Sequence, residues 1–198
     1  MNETSDDFSS DEYTRSLWAD RHNKLADIMH LYSRRVLDVA EYIGAGKIIV
    51  GHNNRWKDNL KMYKDTKQNF SFIPFNLFIE DLKYKAEMLG IEVILQEESY
   101  TSKASFFDDD FMPVYGTPEA NNFKASGKRV KRGLYRTKDG HFINADVNAA
   151  LNIMRKYMNV SSKAILAPEY MGTVMSPLRV RIRDLKSKVF LYKVINRC

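Results

Sequence analysis

Ile143-Asn144-Ala145-Asp146-Val147-Asn148-Ala149-Ala150-Leu151-Asn152-Ile153 joins a short extended piece to the first turns of a helix. Val147, Ala150, Leu151 and Met154 recur at helical spacing, so that face is expected to pack inward. Asp146 then stands in the first turn with asparagines beside it. A carboxylate in that place has two physical uses. It complements the partial positive charge of the helix N-terminus, or it offers oxygens to a hard divalent cation such as magnesium, which can activate water and stabilise a leaving oxygen. Taken alone the stretch favours the dipole reading; the company it keeps upstream changes that weighting.

The whole chain has 198 residues, 44% hydrophobic and 12% aromatic, enough for one domain with a real core. No apolar run reaches membrane-spanning length and the first residues are acidic, so no membrane partner is expected and the expected location is cytoplasmic. Cys198 is the single cysteine, which excludes an internal disulfide and a cysteine-based metal site. The charge is uneven. Glu3, Asp6, Asp7, Asp11 and Glu12 lie in residues 1–12 with no base among them. Setting those five aside leaves 31 basic against 20 acidic residues, a net +11 that favours a polyanionic partner such as nucleic acid.

Residues 1–12 read as a disordered acidic leader. A long helix is expected over 13–43, with Leu25, Ile28, Met29, Tyr32, Val36, Val39, Ala40 and Ile43 as its stripe and Gly44 and Gly46 at its end. Lys47-Ile48-Ile49-Val50 reads as a buried strand. The polar stretch 51–69, with Trp56 among Lys57, Lys61, Lys64 and Lys67, suggests a loop with helical pieces. Pro74 opens a second helix striped by Phe75, Phe78, Ile79, Leu82, Ala86 and Leu89 and closed by Gly90. Ile91 to Glu98 is again a strand, so strand, helix, strand implies a parallel crossover. From 99 to 143 the periodicity fails and an irregular insertion is expected, containing a hairpin over 134–143 that turns at Asp139-Gly140. Asp108, Asp109 and Asp110 read as a solvated turn, with calcium-like binding the alternative. The closing helix is expected over 145–158, and 159–198 as a basic tail.

These pieces, in this order, resemble the C-terminal part of the OrfB/TnpB proteins encoded by insertion sequences. The matching residues are Lys47 to Asn53, Gln68 to Phe70, Ile73 to Phe75, Tyr84 to Glu87, Gly90 to Val93, Glu97 to Lys103, Gly127 to Tyr135 and Asn144 to Ile153. The match spans roughly residues 15–183. The resemblance implies an α/β fold, a RuvC-like (RNase H-like) catalytic domain that takes magnesium, DNA as substrate and a guide RNA. Such proteins accompany mobile elements and were long labelled transposases.

Three departures qualify the resemblance. The family's first catalytic aspartate lies on a strand ahead of the long helix, whereas here an acidic leader stands there. The chain is therefore expected to be a truncated, partial RuvC-like domain over 13–158, which an N-terminal complementing chain would complete. Many relatives place a catalytic glutamate at the end of the strand that here reads Ile48-Ile49-Val50-Gly51-His52, where no acid is present. Glu97 or Glu98, ending the neighbouring strand, is the candidate substitute beside Asp146, because carboxyl ends of adjacent parallel strands share a crevice. Period-two alternation lets one of the pair face it. Finally, the family's four zinc-ribbon cysteines align with Ser105, Asp108, Arg136 and Asp139, none of them a thiolate, so no zinc is expected.

Lys128, Arg129, Lys131, Arg132 and Arg136, joined by Lys124 and Lys138, form one candidate nucleic-acid surface. Arg179, Arg181 and Arg183 form a second, alternating with Val180 and Ile182 so that a strand would show three guanidiniums on one face. The competing reading of both clusters is a solvated surface. The leading expectation is a transposon-derived DNA-binding protein that does not cleave alone. The alternatives are a metal-dependent DNA endonuclease when complemented, and a protein-interaction module or decayed relic.

Overall fold

The computed structural model describes residues 6–53, 73–165 and Leu185, with side chains described from residue 11 onward. The stretch holding Trp56 and its lysines, the arginine cluster 179–183 and Cys198 lie outside the described residues. The described residues fall into two compact units. One takes those within Met1–Gly46, Leu60–Glu92 and Val180–Cys198; the other takes those within Lys47–Asn59 and Val93–Arg179.

The first unit is helical. Helix α1 spans Asp6–Tyr42 and so begins inside the stretch read as a disordered leader. Acidic side chains suit a helix N-terminal end, where the dipole is positive, and Asp11 pairs with Arg15 one turn later. Residues 6–12 are thus helical. Helix α2 spans Phe75–Glu87 and buries Ile79, Leu82 and Ala86. Its end is the expected one: Gly90 adopts φ +68° and the Ile91 N–H bonds the Ala86 carbonyl at 2.9 Å. Helices α1 and α2 pack together. The deepest α1 residues are Ser33, Leu37 and Ala40, whereas Ile43, the last member of the expected stripe, is 61% exposed. The Lys85 ammonium spans the pair, donating to the His30 carbonyl and to Ser33 Oγ. Desolvation there pulls its pKa below the ordinary lysine value, against the opposing attraction of Asp81.

The second unit carries the strands. Strand β1 spans Lys47–Gly51 and β2 spans Glu92–Gln96, in a two-stranded sheet. Glu92 N–H bonds the Gly46 carbonyl at one end and His52 N–H bonds the Gln96 carbonyl at the other, so both strands run the same way. After the short helix α3, Pro118–Asn121, come β3 (Lys128–Lys131), β4 (Leu134–Arg136) and β5 (Phe142–Asn144), in one antiparallel sheet of that order. The hairpin expected at Asp139-Gly140 is present, with Gly140 at φ +87°. Strand β3 is an addition: it pairs Lys128 with Arg136, Arg129 with Tyr135 and Lys131 with Leu134, and the register slips at Val130.

Helix α4, Ala145–Met158, packs two different faces. Val147 and Leu151 lie half-buried against a core of Tyr135, Ile143 and Ala145, while Ala150, counted on the inward face, is exposed. The most deeply buried stripe is polar: Asn148, Asn152 and Arg155. The reason is the segment 101–106, which runs without a strand partner yet is buried at Thr101, Ala104, Ser105 and Phe106. Its backbone groups need partners. Asn148 accepts from the Phe106 N–H at 3.0 Å and donates to the Ala104 carbonyl at 2.8 Å. Asn152 donates to the Thr101 and Ala104 carbonyls at 3.0 and 2.8 Å.

Candidate nucleic-acid interface

At the start of α4 the cap is Asn144, whose side chain accepts from the Asp146 and Val147 N–H groups at 2.9 and 3.1 Å. Asp146 is therefore not needed as the cap. Its carboxylate is 85% exposed and stands 3.7 Å from the Arg129 guanidinium.

The two glutamates after β2 point different ways. Glu97 pairs with Lys156 near the far end of α4 and accepts from the Ser99 N–H at 2.8 Å. Burial would raise its pKa, but those two partners outweigh it and hold the group below the ordinary glutamate value. Glu98 is half-buried; a Cβ built on Gly51 would lie 2.5 Å from its Oε2 and 2.6 Å from Ile153 Cδ1. Desolvation raises the Glu98 pKa and the Glu97 charge adds to the rise, with His52 opposing. Ile153 lies seven residues along α4 from Asp146 and Lys156 ten, which at helical rise is about 10 and 15 Å along the axis. Asp146, Glu98 and Glu97 are thus strung beside one helix rather than gathered at a point. Among the described residues no group of three His, Cys, Asp or Glu could hold a metal ion. As placed, these carboxylates do not fit a pair of magnesium ions about 3.5–4 Å apart.

The four positions aligned with zinc-ribbon cysteines offer no thiolate and do not fit a structural zinc ion. Asp108 instead accepts from the Lys138 backbone N–H at 2.9 Å, tying the two loops together directly. Asp108 and Asp109 do lie in a turn, and Asp109 is exposed as expected of a solvated one, whereas Asp110 departs from that reading. Asp110 is buried and accepts from the Ser105 and Ser126 N–H groups at 2.8 and 2.9 Å and from Ser126 Oγ. Asp109 pairs with the buried Arg155 at 3.1 Å and accepts from the Ser162 N–H at 2.6 Å. Burial acts to raise the Asp109 pKa, but the Ser162 and Arg155 contacts prevail and lower it. The burial of Asp110 is not visible in sequence, because three adjacent acids look soluble and the donors that claim them lie 5 to 53 residues away.

The basic cluster is assembled by the β3–β4 ribbon. Lys128, Arg129 and Lys131 on β3, Arg132 in the turn, Arg136 ending β4, and Lys124 and Lys138 are all exposed. Gly133, at φ +77°, makes the turn between the strands. Charged side chains on an edge strand also discourage strand-to-strand aggregation, the structural use such a row would have without a ligand. Arg129 is the member that joins this surface to Asp146.

Residues 75–153 match the family described as Cas12f1-like, TNB domain. In fold, the chain is similar to a protein chain of the cryo-EM structure of the Cas12f1-sgRNA-target DNA complex. The identity is 18% and the TM-score 0.49, over 74% of this chain and 40% of that one, so the chain spans two fifths of that protein's length. No curated protein matches the chain. No helix among the described residues is long and apolar enough to cross a membrane.

Proposed function

We propose that the chain, whose residues 75–153 match the Cas12f1-like TNB family, is TnpB/Cas12f-like and binds nucleic acid through its basic ribbon, with DNA and a guide RNA as partners. The single observation that supports this most is the position of Arg129: it belongs to an exposed cationic row and also stands 3.7 Å from Asp146. Phosphates bound along Lys128, Arg129, Lys131 and Arg132 would pass the start of α4. Arginine forks match phosphate oxygens, and each phosphate neutralised releases counterions.

Anisotropy titrations of a labelled duplex at rising salt test this reading. Affinity is expected to fall steeply with salt, and Lys128→Ala with Arg129→Ala to lower the log–log slope by about 1 for each phosphate left without its cation. Affinity that barely responds to salt would favour the protein-interaction reading instead.

We infer further that the described carboxylates do not by themselves cleave DNA. A second reading, a magnesium-dependent DNA endonuclease completed by carboxylates from elsewhere, has one observation in its favour. Glu98 Oε2 lies against Gly51, at the end of the strand, Ile48 to His52, where the resemblance implies that many OrfB/TnpB relatives carry a glutamate. If that reading holds, Glu98 and Asp146 are the ligands this chain supplies. Plasmid nicking by the pure chain in magnesium, abolished by Asp146→Ala, would replace the first reading with the second.

A further inference from the structure

Beside the basic ribbon lies a cavity of about 660 Å³ whose walls bring rings and cations together. The rings of Tyr100 and Phe123 stand with centroids 4.8 Å apart and planes tilted by 59°. The Lys103 ammonium sits 5.4 Å from the Tyr100 ring centroid, and Lys128 and Arg129 form another part of the lining. Both rings are half-buried and the three cations are exposed, so neither set is consumed by the core. Gly127 also lines the cavity, where a Cβ would meet the Arg136 carbonyl oxygen at 2.5 Å and Tyr135 Cε1 at 2.6 Å. The chain there therefore lies flush on Tyr135.

Tyr100 adds an independent sign. It adopts φ +65°, a left-handed conformation that costs a bulky residue on the order of 1–3 kcal/mol. Lys103 and Ala104 hold it there, both donating their N–H groups to the Tyr100 carbonyl at 2.9 Å. Such outliers persist where the surroundings over-determine them, and this one sets the ring beside Phe123.

Three cations call for an anion, and two partly open rings call for a flat apolar face. Duplex DNA offers phosphates but keeps its bases stacked inside; an unpaired nucleotide offers both together. We propose that this cavity takes an unpaired nucleotide of a single strand, its base against Tyr100 and Phe123 and its phosphates on Lys128 and Arg129. The proposal rests on the nucleic-acid reading above and narrows it to single-stranded substrate at this place. Through Arg129 the bound strand borders Asp146.

The test compares a labelled oligodeoxyuridylate with a duplex of equal length, using the full chain and two variants. Phe123→Leu keeps an apolar side chain without the ring. Tyr100→Asn removes the other ring while suiting the left-handed backbone. Each variant is expected to weaken single-strand binding roughly tenfold while duplex affinity and far-UV circular dichroism stay unchanged. An oligouridylate arm separates DNA from RNA as the source of the strand. Equal losses on both probes by folded variants, or no loss on either, overturn the cavity proposal and leave the ribbon reading standing. Failure of the unaltered chain to bind either probe overturns both.

Discussion

The two ends of α4 use charge in opposite ways. At its start Asp146 is 85% exposed, uncommitted to the cap, and faced by Arg129 at 3.7 Å. Toward its end Arg155 is 5% exposed, holding Asp109 and donating to the Asp110 carbonyl, and Lys156 is spent on Glu97. One helix thus carries an open site and a closed scaffold about three turns apart. The lesson is that residue type did not assign these roles. Acids and bases occur at both ends, and burial with local partners decides which of them remain available to a ligand.

Substitutions can break that contrast or sharpen it. The largest effect is expected at the closed end. Arg155→Ala empties a buried volume and leaves the Asp110 carbonyl unpaired, and should cost about 3 kcal/mol in urea unfolding. The pH dependence belongs to the contact of Arg155 with Asp109. Because the folded state lowers the Asp109 pKa, its stabilisation is present above the ordinary aspartate value of 3.8 and is lost as pH falls below it. Acid should therefore destabilise the unaltered chain more steeply than Arg155→Ala; parallel acid curves would show that the pair contributes nothing. Next comes Asn148→Ala, which strips partners from the Ala104 carbonyl and the Phe106 N–H together. An expected loss of about 2 kcal/mol is read in the same unfolding assay. The smallest is Asp146→Asn: an exposed ion pair at that distance should change stability by less than about 0.5 kcal/mol. A large loss there would mean that the start of α4 is scaffold as well, and the contrast would vanish.

How far the sequence anticipated these features follows from where each residue finds its partner. Helix α2 was legible because Phe75 to Leu89 carry their own stripe and Gly90 its own stop. The turn at Asp139-Gly140 was legible for the same local reason. The helical character of residues 6–12 was not, since acids at a helix start and acids in a loose leader look alike. Strand β3 was hidden because Lys128 to Lys131 show no apolar alternation and owe their extended form to pairing with β4. In the candidate site, the basic cluster and Asp146 were read directly from residue type. The divergence of Glu97 from Glu98 was expected as an alternation, but the direction each takes depends on Lys156 and Gly51. The Asn148–Asn152–Arg155 stripe escaped notice because its partners are backbone groups in a distant loop, which leave no mark on the sequence of α4.

The close approach at Gly51 has an evolutionary corollary. With Glu98 Oε2 2.5 Å from where a Cβ would begin, positions 51 and 98 compete for a single volume. A side chain entering at 51 meets the tips of Glu98 and Ile153, both flexible, and turns them aside; the Glu98 Cβ, 3.3 Å away, is the part that cannot swing clear. Homologous sequences should therefore favour small residues at 51 wherever a long side chain stands at 98.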